Sequence, residues 1–492
     1  MNSNSDLKVL AIGLDAAEPS LIQQLMKDGS MPGLAALASD GRWFRVEAPA
    51  HIGSGSVWPT FITGTPPTEH GRYSEWIWRP EKMSLERYHG RDLDPFWKRL
   101  DERGIAVGVL DVPFATPVGI KSGFEVSEWW SHDSVLEKTQ SGPEKISELL
   151  KQVPVHPLCL KRQGAVKPDD RDALRQLTED SKEGVRRRGT LVQHLIDHTR
   201  PALALIVFPE THHTGHQMWH TVASDHPVYR SKNLFSSEPL LQDVYREVDR
   251  QITNLAATAG HDAIVMVFSL HGMKAGRGSP VFLQQVLCMR GFSQISSWSS
   301  QSWSERRWSM LAGLKKRSPQ FVRSLYYRTT PEVAIQQVAR PTMLPVYDWQ
   351  KTRAFSLPTD QYGWVRINLK GREAKGSVPL DRYCETLDEL EAMLRQLENS
   401  DGQPLVREVI RTAANDAMAL HHRIPDLVVH WHDAAFSSRF RIDNTHFESP
   451  PTGIKTGQHA LDGFCVMKGG PDNLGPSIQA HDMGRLITQM LI

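Results

Sequence analysis

Short runs of apolar residues, each ending in polar residues, recur along the 492-residue chain. Successive positions in each run are apolar, which is typical of strands buried on both faces in a parallel sheet. We therefore predict buried parallel strands at 9–15, 106–112, 202–208, 263–269 and 426–431.

Amphipathic stretches separate these runs and predict helices at 19–29, 93–104 and 240–259. Alternation of strand and helix predicts an α/β fold with a mostly parallel central sheet and helices on both faces. We expect a single elaborated domain over 1–492, with 136–188 as a surface insertion and 293–343 as a cap or lid insertion. Ligands of such sheets bind at the carboxyl ends of the strands.

The charges of the chain almost cancel, with 57 Lys and Arg against 56 Asp and Glu. The chain therefore has no large basic field, and we expect a small-molecule substrate and no nucleic acid polymer. Four cysteines form no CxxC pair, so neither a disulfide framework nor a cysteine zinc site is expected. A polar N-terminus and the lack of a long apolar run favour a cytoplasmic protein without a membrane partner. The oligomeric state stays open.

Polar candidates follow the predicted strands. Asp15 ends the first run and could hold a metal, although aspartate is also common in turns there. Ser54 begins a loop of glycines and small hydroxyl residues, which lets an anion approach closely and can present a nucleophile. Many such loops serve only as helix caps.

Histidines supply the remaining candidates. His212 and His216 are four positions apart, so on a helix they share one face and can bind one cation. His271 follows the run at 263–269, and His459 lies in a glycine-flanked loop. A lone histidine at such positions is more often structural, so each of these two is modest evidence alone.

Taken in order, these motifs resemble the alkaline phosphatase superfamily, in particular its type I phosphodiesterase/nucleotide pyrophosphatase branch. The stretches that carry the resemblance are GLDAAEPSLIQQLMKDGSMPGLAALASDG, WPTFITGTPPTEHG, FSLHGM and TRAFSLPTDQYGWVRINLKGREAKGSV. The resemblance implies an alkaline-phosphatase-like three-layer sandwich with inserted cap segments. It also implies a metal-dependent hydrolase that cleaves a phosphate ester, a phosphodiester being favoured.

The resemblance further implies the roles of particular residues. Ser54 corresponds to the nucleophile, with Ser56 as a second candidate, and the backbone of Gly55 and Ser56 would contact the substrate oxygens. One divalent metal, zinc being favoured, would be held by His212, His216 and His459. A second would be held by Asp15, Ser54 and His271.

Two positions depart from the family pattern. His212 and Leu270 both stand where the family usually has aspartate, so two negative ligands are missing. The chain could hold one metal among three imidazoles, or Glu210 could replace a missing carboxylate. Two alternative functions stay open. One is a sulfate or phosphonate ester hydrolase, and the other is a noncatalytic metal- and anion-binding protein with a degenerate site.

Two further polar groups stay outside the predicted core of the site. Arg366, Asn368, Lys370 and Arg372 alternate along a strand-like run, and we expect them to form a solvated sheet face. Asn444, His446 and Lys455 precede His459 and could contact a charged group of the substrate.

Overall fold

The structure is a computed structural model. It describes residues 7–88, 92–131, 139–159, 166–224, 226, 228–229, 238–297, 310, 343–359, 361–413, 416–450 and 455–492. The predicted cap or lid at 293–343 lies outside the described residues except at 293–297, 310 and 343.

Most of the described strands are short. They are β1 (Val9–Leu14), β2 (Arg42–Glu47), β3 (Trp76–Arg79), β4 (Ser84–Arg87), β5 (Val107–Leu110), β6 (Gly123–Ser127), β7 (Gln140–Gly142), β8 (Leu203–Phe208), β9 (Ile264–Ser269), β10 (Met273–Ala275), β11 (Ala354–Leu357), β12 (Gly363–Ile367), β13 (Leu397–Asn399), β14 (Val406–Arg411), β15 (Leu427–Trp431), β16 (Arg439–Ile442), β17 (Thr445–Glu448), β18 (Gly457–His459), β19 (Asp462–Lys468) and β20 (Ser477–Gln479).

The described α-helices alternate with many of these strands. They are α1 (Pro19–Lys27), α2 (Pro32–Asp40), α3 (Val57–Thr63), α4 (Pro67–His70), α5 (Phe96–Glu102), α6 (Glu144–Leu150), α7 (Arg171–Thr199), α8 (Glu210–Met218), α9 (Leu240–Ala259), α10 (Leu283–Met289), α11 (Tyr383–Leu394), α12 (Asp416–Ala419) and α13 (Ala480–Leu491). No helix in the described ranges is both long enough and apolar enough to cross a membrane.

The chain divides into two compact units. Unit 1 comprises 1–70, 89–277 and 454–492, and unit 2 comprises 71–88 and 278–453. Unit 1 contains a nine-stranded sheet in the order β20-β2-β19-β9-β1-β8-β5-β6-β7. Its central strands β9, β1, β8, β5 and β6 run parallel, whereas β19 and β7 are antiparallel to their neighbours.

Helices cover both faces of this sheet. On one face, Leu10 and Ile12 of β1 share a core with the apolar sides of α1, α2, α7 and α9. On the other face, Phe61 of α3 packs edge-on against Phe96 of α5 and near Phe268 of β9, while α13 packs on both α3 and α5. The predicted α/β fold with a mostly parallel, doubly covered sheet is therefore confirmed.

Helix α7 begins inside the segment predicted as a surface insertion at 136–188. Its N-cap is Asp170, whose side chain accepts the N–H of Ala173. Its apolar side chains, among them Leu174, Leu177 and Val185, are buried in the core of unit 1. The amphipathic spacing of these residues explains why a helix with many charged residues still packs on the sheet.

Unit 2 is built around a four-stranded antiparallel sheet in the order β11-β12-β15-β14. Strand β15 covers most of the run at 426–431, for which we predicted a parallel strand. The prediction of a buried strand is confirmed, but the predicted direction is wrong. Apolar residues on both faces show that a strand is covered on both sides, and an antiparallel strand can be covered in the same way.

Candidate active site

Asp15 leaves the carboxyl end of β1 in the middle of the nine-stranded sheet. Its backbone N–H bonds to the carbonyl of Phe208 at 3.1 Å, which continues the pairing of β1 with β8. Its Oδ2 lies 2.6 Å from Nδ1 of His212, and its Oδ1 accepts the indole N–H of Trp58 at 2.8 Å. Although burial alone would raise the pKa of Asp15, its interaction with His212 holds that pKa below its usual value.

Three histidines converge beside Asp15. Helix α8 starts two residues after β8 ends, and its spacing puts His212 and His216 on one face, as predicted. His459 ends β18, which pairs with β10 and so places His459 opposite Met273. The Nε2 of His212 lies 3.0 Å from that of His216 and 2.8 Å from that of His459. The three side chains are buried, and their donor atoms lie within 4.8 Å of one another.

The protons of two of these rings are directed away from the point of convergence. Nδ1 of His216 lies 2.7 Å from the carbonyl of Gly457, which can only accept, so it carries the proton. Nδ1 of His212 donates in the same way to the ionised Asp15. The Nε2 atoms of His212 and His216 therefore both present lone pairs, at 3.0 Å from each other. Lone pairs at such distances repel unless a cation lies between them, and three imidazoles with an open position are a zinc-type donor set.

Burial keeps the imidazoles of His216 and His459 uncharged. It lowers the pKa of His216 and of His459 well below the usual value, and the charge of Lys455 lowers both further. A neutral imidazole is the form that binds a metal. Nδ1 of His459 is buried and has no hydrogen-bond partner. The residues therefore fit a divalent cation.

His271 lies beside this group but outside it. It follows the end of β9, its Nε2 is 4.0 Å from Oδ1 of Asp15, and its Nδ1 is 3.1 Å from the carbonyl of Gly272. Its ring centroid is 4.7 Å from that of His459. Burial lowers the pKa of His271 to about 4. Leu270, the preceding residue, is buried and apolar.

Ser54 opens a single 3₁₀ turn, Ser54–Ser56, that runs directly into α3. It is half-buried, and it lies one turn before Trp58, which bonds to Asp15. The hydroxyl of Ser56, in contrast, is fully buried and lies 2.8 Å and 2.6 Å from the carbonyls of Pro49 and Gly53. Of the two candidate nucleophiles, Ser54 is the more exposed residue.

The backbone of the same turn was expected to contact substrate oxygens. The N–H of Ser56 donates to the carbonyl of Gly53 at 3.0 Å, so it is already occupied. The contribution of Gly55 stays a prediction.

A buried ion cluster fixes the start of the histidine-bearing helix α8. Glu210, its first residue, accepts a bond from Nε of Arg188 at 2.9 Å, and Nη1 of Arg188 bonds to Asp111 at 2.6 Å. All three side chains are buried. This ion pair engages Glu210, and Glu210 is not among the grouped metal donors. The structure therefore does not support Glu210 as a replacement ligand.

The polar row predicted as a solvated sheet face is mostly buried, so that prediction is wrong. Arg366 and Asn368 are fully buried and Arg372 is 9% exposed, whereas Lys370 is exposed. Both arginines donate hydrogen bonds to Glu373. Arg372 also donates two hydrogen bonds of 2.7 Å to the carboxylate of Asp426. Strand β12 ends at Ile367, so only Arg366 of the row lies on a strand. The acidic partners that allow burial could not be recognised from the alternation.

The remaining polar candidates lie at the surface. Asn444 and His446 are exposed around the β16–β17 hairpin of unit 2. Lys455 is exposed in unit 1. His220, which crowds the histidine segment in the sequence, bonds to Thr456 and to the carbonyl of Pro168. His220 is thus a structural histidine.

Comparison with known proteins supplies a family match. The model of the family described as type I phosphodiesterase/nucleotide pyrophosphatase matches residues 9–460. No curated protein matches the chain.

Solved structures share the fold. The phosphonoacetate hydrolase from Sinorhizobium meliloti 1021, solved with phosphonoacetate, aligns with a TM-score of 0.56 at 14% identity over 99% of this chain and 96% of that one. The alkaline phosphatase PafA aligns with a TM-score of 0.53 at 12% identity over 100% of this chain and 96% of that one. At such identities the likeness shows the fold alone.

Proposed function

The chain belongs to the type I phosphodiesterase/nucleotide pyrophosphatase family of phosphoric ester hydrolases, and on that premise we propose that it cleaves a phosphodiester with Ser54 as nucleophile and a divalent metal bound by three histidines. The convergence of the Nε2 atoms of His212, His216 and His459 carries the proposal. Zinc suits three imidazoles and an open position better than magnesium or calcium, which prefer oxygen ligands.

The protein supplies a fixed frame for this centre. Asp15 and the carbonyl of Gly457 hold the Nδ1 protons of His212 and His216, so both rings keep the tautomer that offers Nε2. The bond between Arg188 and Glu210 holds the helix that carries both rings. A divalent cation bound there would act as a Lewis acid that offsets charge on the phosphoryl oxygens and favours the serine alkoxide.

Ser54 supplies the nucleophile. Its Oγ forms a bond to phosphorus while the bond from phosphorus to the leaving oxygen breaks, and the departing alcohol carries away that electron pair and a proton. Water then attacks phosphorus and releases Ser54 with its proton restored. The half-buried position of Ser54 supports this role, because part of the residue stays exposed whereas Ser56 is fully buried.

The test compares Ser54→Ala with a serine variant at the sheet edge. Zinc-loaded protein is assayed against chromogenic phosphodiester, phosphomonoester, phosphonate ester and sulfate ester substrates. We expect Ser54→Ala to lower kcat by at least about 10³-fold, because loss of a nucleophile removes the covalent route. Ser477→Ala, in the exposed part of β20, should keep full activity. Unchanged turnover in Ser54→Ala would refute the nucleophile.

The substrate panel separates the rival functions. Preference for the phosphodiester supports the proposal, whereas preference for a phosphonate or sulfate ester identifies the alternative hydrolases. Bound zinc with no turnover of any ester by the unmodified protein would identify a noncatalytic binding protein.

A further inference from the structure

Both carboxylate oxygens of Asp15 are already bonded to protein donors. Oδ2 accepts from Nδ1 of His212 at 2.6 Å, and Oδ1 accepts from Nε1 of Trp58 at 2.8 Å. The backbone carbonyl of Asp15 is also held, since the Thr211 hydroxyl donates to it at 2.6 Å. We infer that the centre holds one metal ion, and that Asp15 is a positioning residue for His212 rather than the ligand of a second ion.

The bond between Asp15 and His212 has the form of an outer carboxylate that supports a metal-binding imidazole. Such a carboxylate accepts the N–H on the far side of the ring, fixes the ring's tautomer and orientation, and raises its basicity. His212 has this arrangement, with Nδ1 towards Asp15 and Nε2 towards His216 and His459. The negative charge of Asp15 thereby stabilises, through His212, the ion held by the three histidines.

The place where a second ion would bind offers little negative charge. Its protein donors would be Asp15, His271 and Ser54, and of these only Asp15 carries a carboxylate. Leu270 contributes an apolar side chain that is 1% exposed. Paired metals lie about 3.5–4 Å apart and repel strongly unless carboxylates neutralise them. A single carboxylate shared through His212 would leave most of that charge uncompensated.

The inference rests on the proposed function, because it presupposes the three-histidine metal site. The first experiment counts metal in the purified full-length protein. The protein is incubated with excess zinc, passed through a desalting column and analysed by plasma mass spectrometry against protein concentration. We expect one zinc per chain. Two per chain would overturn the inference and leave the proposed site intact, whereas none would overturn the proposed metal site itself.

A variant then tests the role of Asp15. In Asp15→Asn the amide can accept the Nδ1 proton of His212 or the indole proton of Trp58 with its oxygen, but its NH₂ group cannot accept the other. We expect the variant to bind one zinc with an affinity about 10–100-fold lower, as for loss of an outer-shell partner. The cobalt-substituted variant should show a shifted visible spectrum, because His212 is no longer held in place.

The matched control is Asp101→Asn. Asp101 is also a buried carboxylate of unit 1, but it accepts from the backbone of Lys121 and Ser122. Its variant should keep the zinc affinity and the cobalt spectrum of the unmodified protein. If Asp15→Asn bound zinc as tightly as the control with the same spectrum, the positioning role would be refuted. A lower zinc count in His271→Ala would contradict the placement of His271 outside the metal site.

Discussion

Two buried polar clusters, one in each unit, differ in how their members satisfy one another. The arginine network of unit 2 comprises Arg366, Arg372, Glu373 and Asp426. There two positive charges face two negative ones, and donors meet acceptors. The histidine cluster of unit 1 comprises His212, His216 and His459, and there the Nε2 acceptors of His212 and His216 face each other.

The difference indicates a different purpose for each cluster. A buried network with balanced charge and satisfied hydrogen bonds is complete as a piece of structure. A buried group of imidazole nitrogens that converge on one point is a donor set that fits a metal ion. We therefore assign a stabilising role to the arginine network and a ligand-binding role to the histidine cluster. Variants in each cluster test these two roles.

The largest effect should come from breaking the arginine network. Asp426→Asn removes the negative charge that pairs with Arg372, and it weakens the hydrogen bond from the Tyr383 hydroxyl. We expect the free energy of unfolding to fall by about 3–5 kcal/mol, because a buried arginine is left without its counter-charge. Urea denaturation measures the loss, and zinc content of the folded fraction should not change. Asp401→Asn, at an exposed site of unit 2, should change neither quantity.

The next effect should come from the histidine cluster. His216→Ala removes a direct donor, so zinc affinity should fall by more than about 100-fold, beyond the range seen for outer-shell partners. Competition with a chromogenic chelator measures it. His213→Ala is the matched control, because His213 lies on the same helix but packs edge-on against Trp130. Equal affinities in the two variants would contradict the assignment of His216.

The smallest effect should come from Tyr383→Phe. The Tyr383 hydroxyl donates to Oδ1 of Asp426 at 2.7 Å. In the variant this bond is lost, but Arg372 still pairs with the same carboxylate. We expect a loss of about 1.5–3 kcal/mol or less in the free energy of unfolding, the range for a hydrogen bond to a charged group. The measurement is again urea denaturation. A loss as large as that of Asp426→Asn would show that the hydroxyl, and not the ion pair, holds the network.

Local pattern was enough to predict much of the fold and of the site. The apolar runs predicted β1, β5, β8 and β9, and the four-residue spacing placed His212 and His216 on one face of α8. These features depend on residues close together in the chain, where strand and helix periods act directly. His459 came from the order of motifs in the family resemblance.

The rest depends on partners that are distant in sequence. Arg372 and Asp426 are 54 positions apart, so the alternating row gave no sign that its arginines would be neutralised and buried. The contacts of Asp15 with Trp58 and of His216 with Gly457 span 43 and 241 positions. The direction of β15 also depends on its neighbours, because burial on both faces is compatible with either direction.

The central claim is that the three imidazoles of unit 1 bind a metal ion. Anomalous diffraction from crystals of the zinc-loaded protein, recorded on both sides of the zinc absorption edge, tests it most directly. The account predicts one strong peak about 2.0–2.1 Å from Nε2 of His212, His216 and His459, with Asp15 still bonded to Nδ1 of His212. A peak between Asp15 and His271, or no peak beside the three Nε2 atoms, would contradict it.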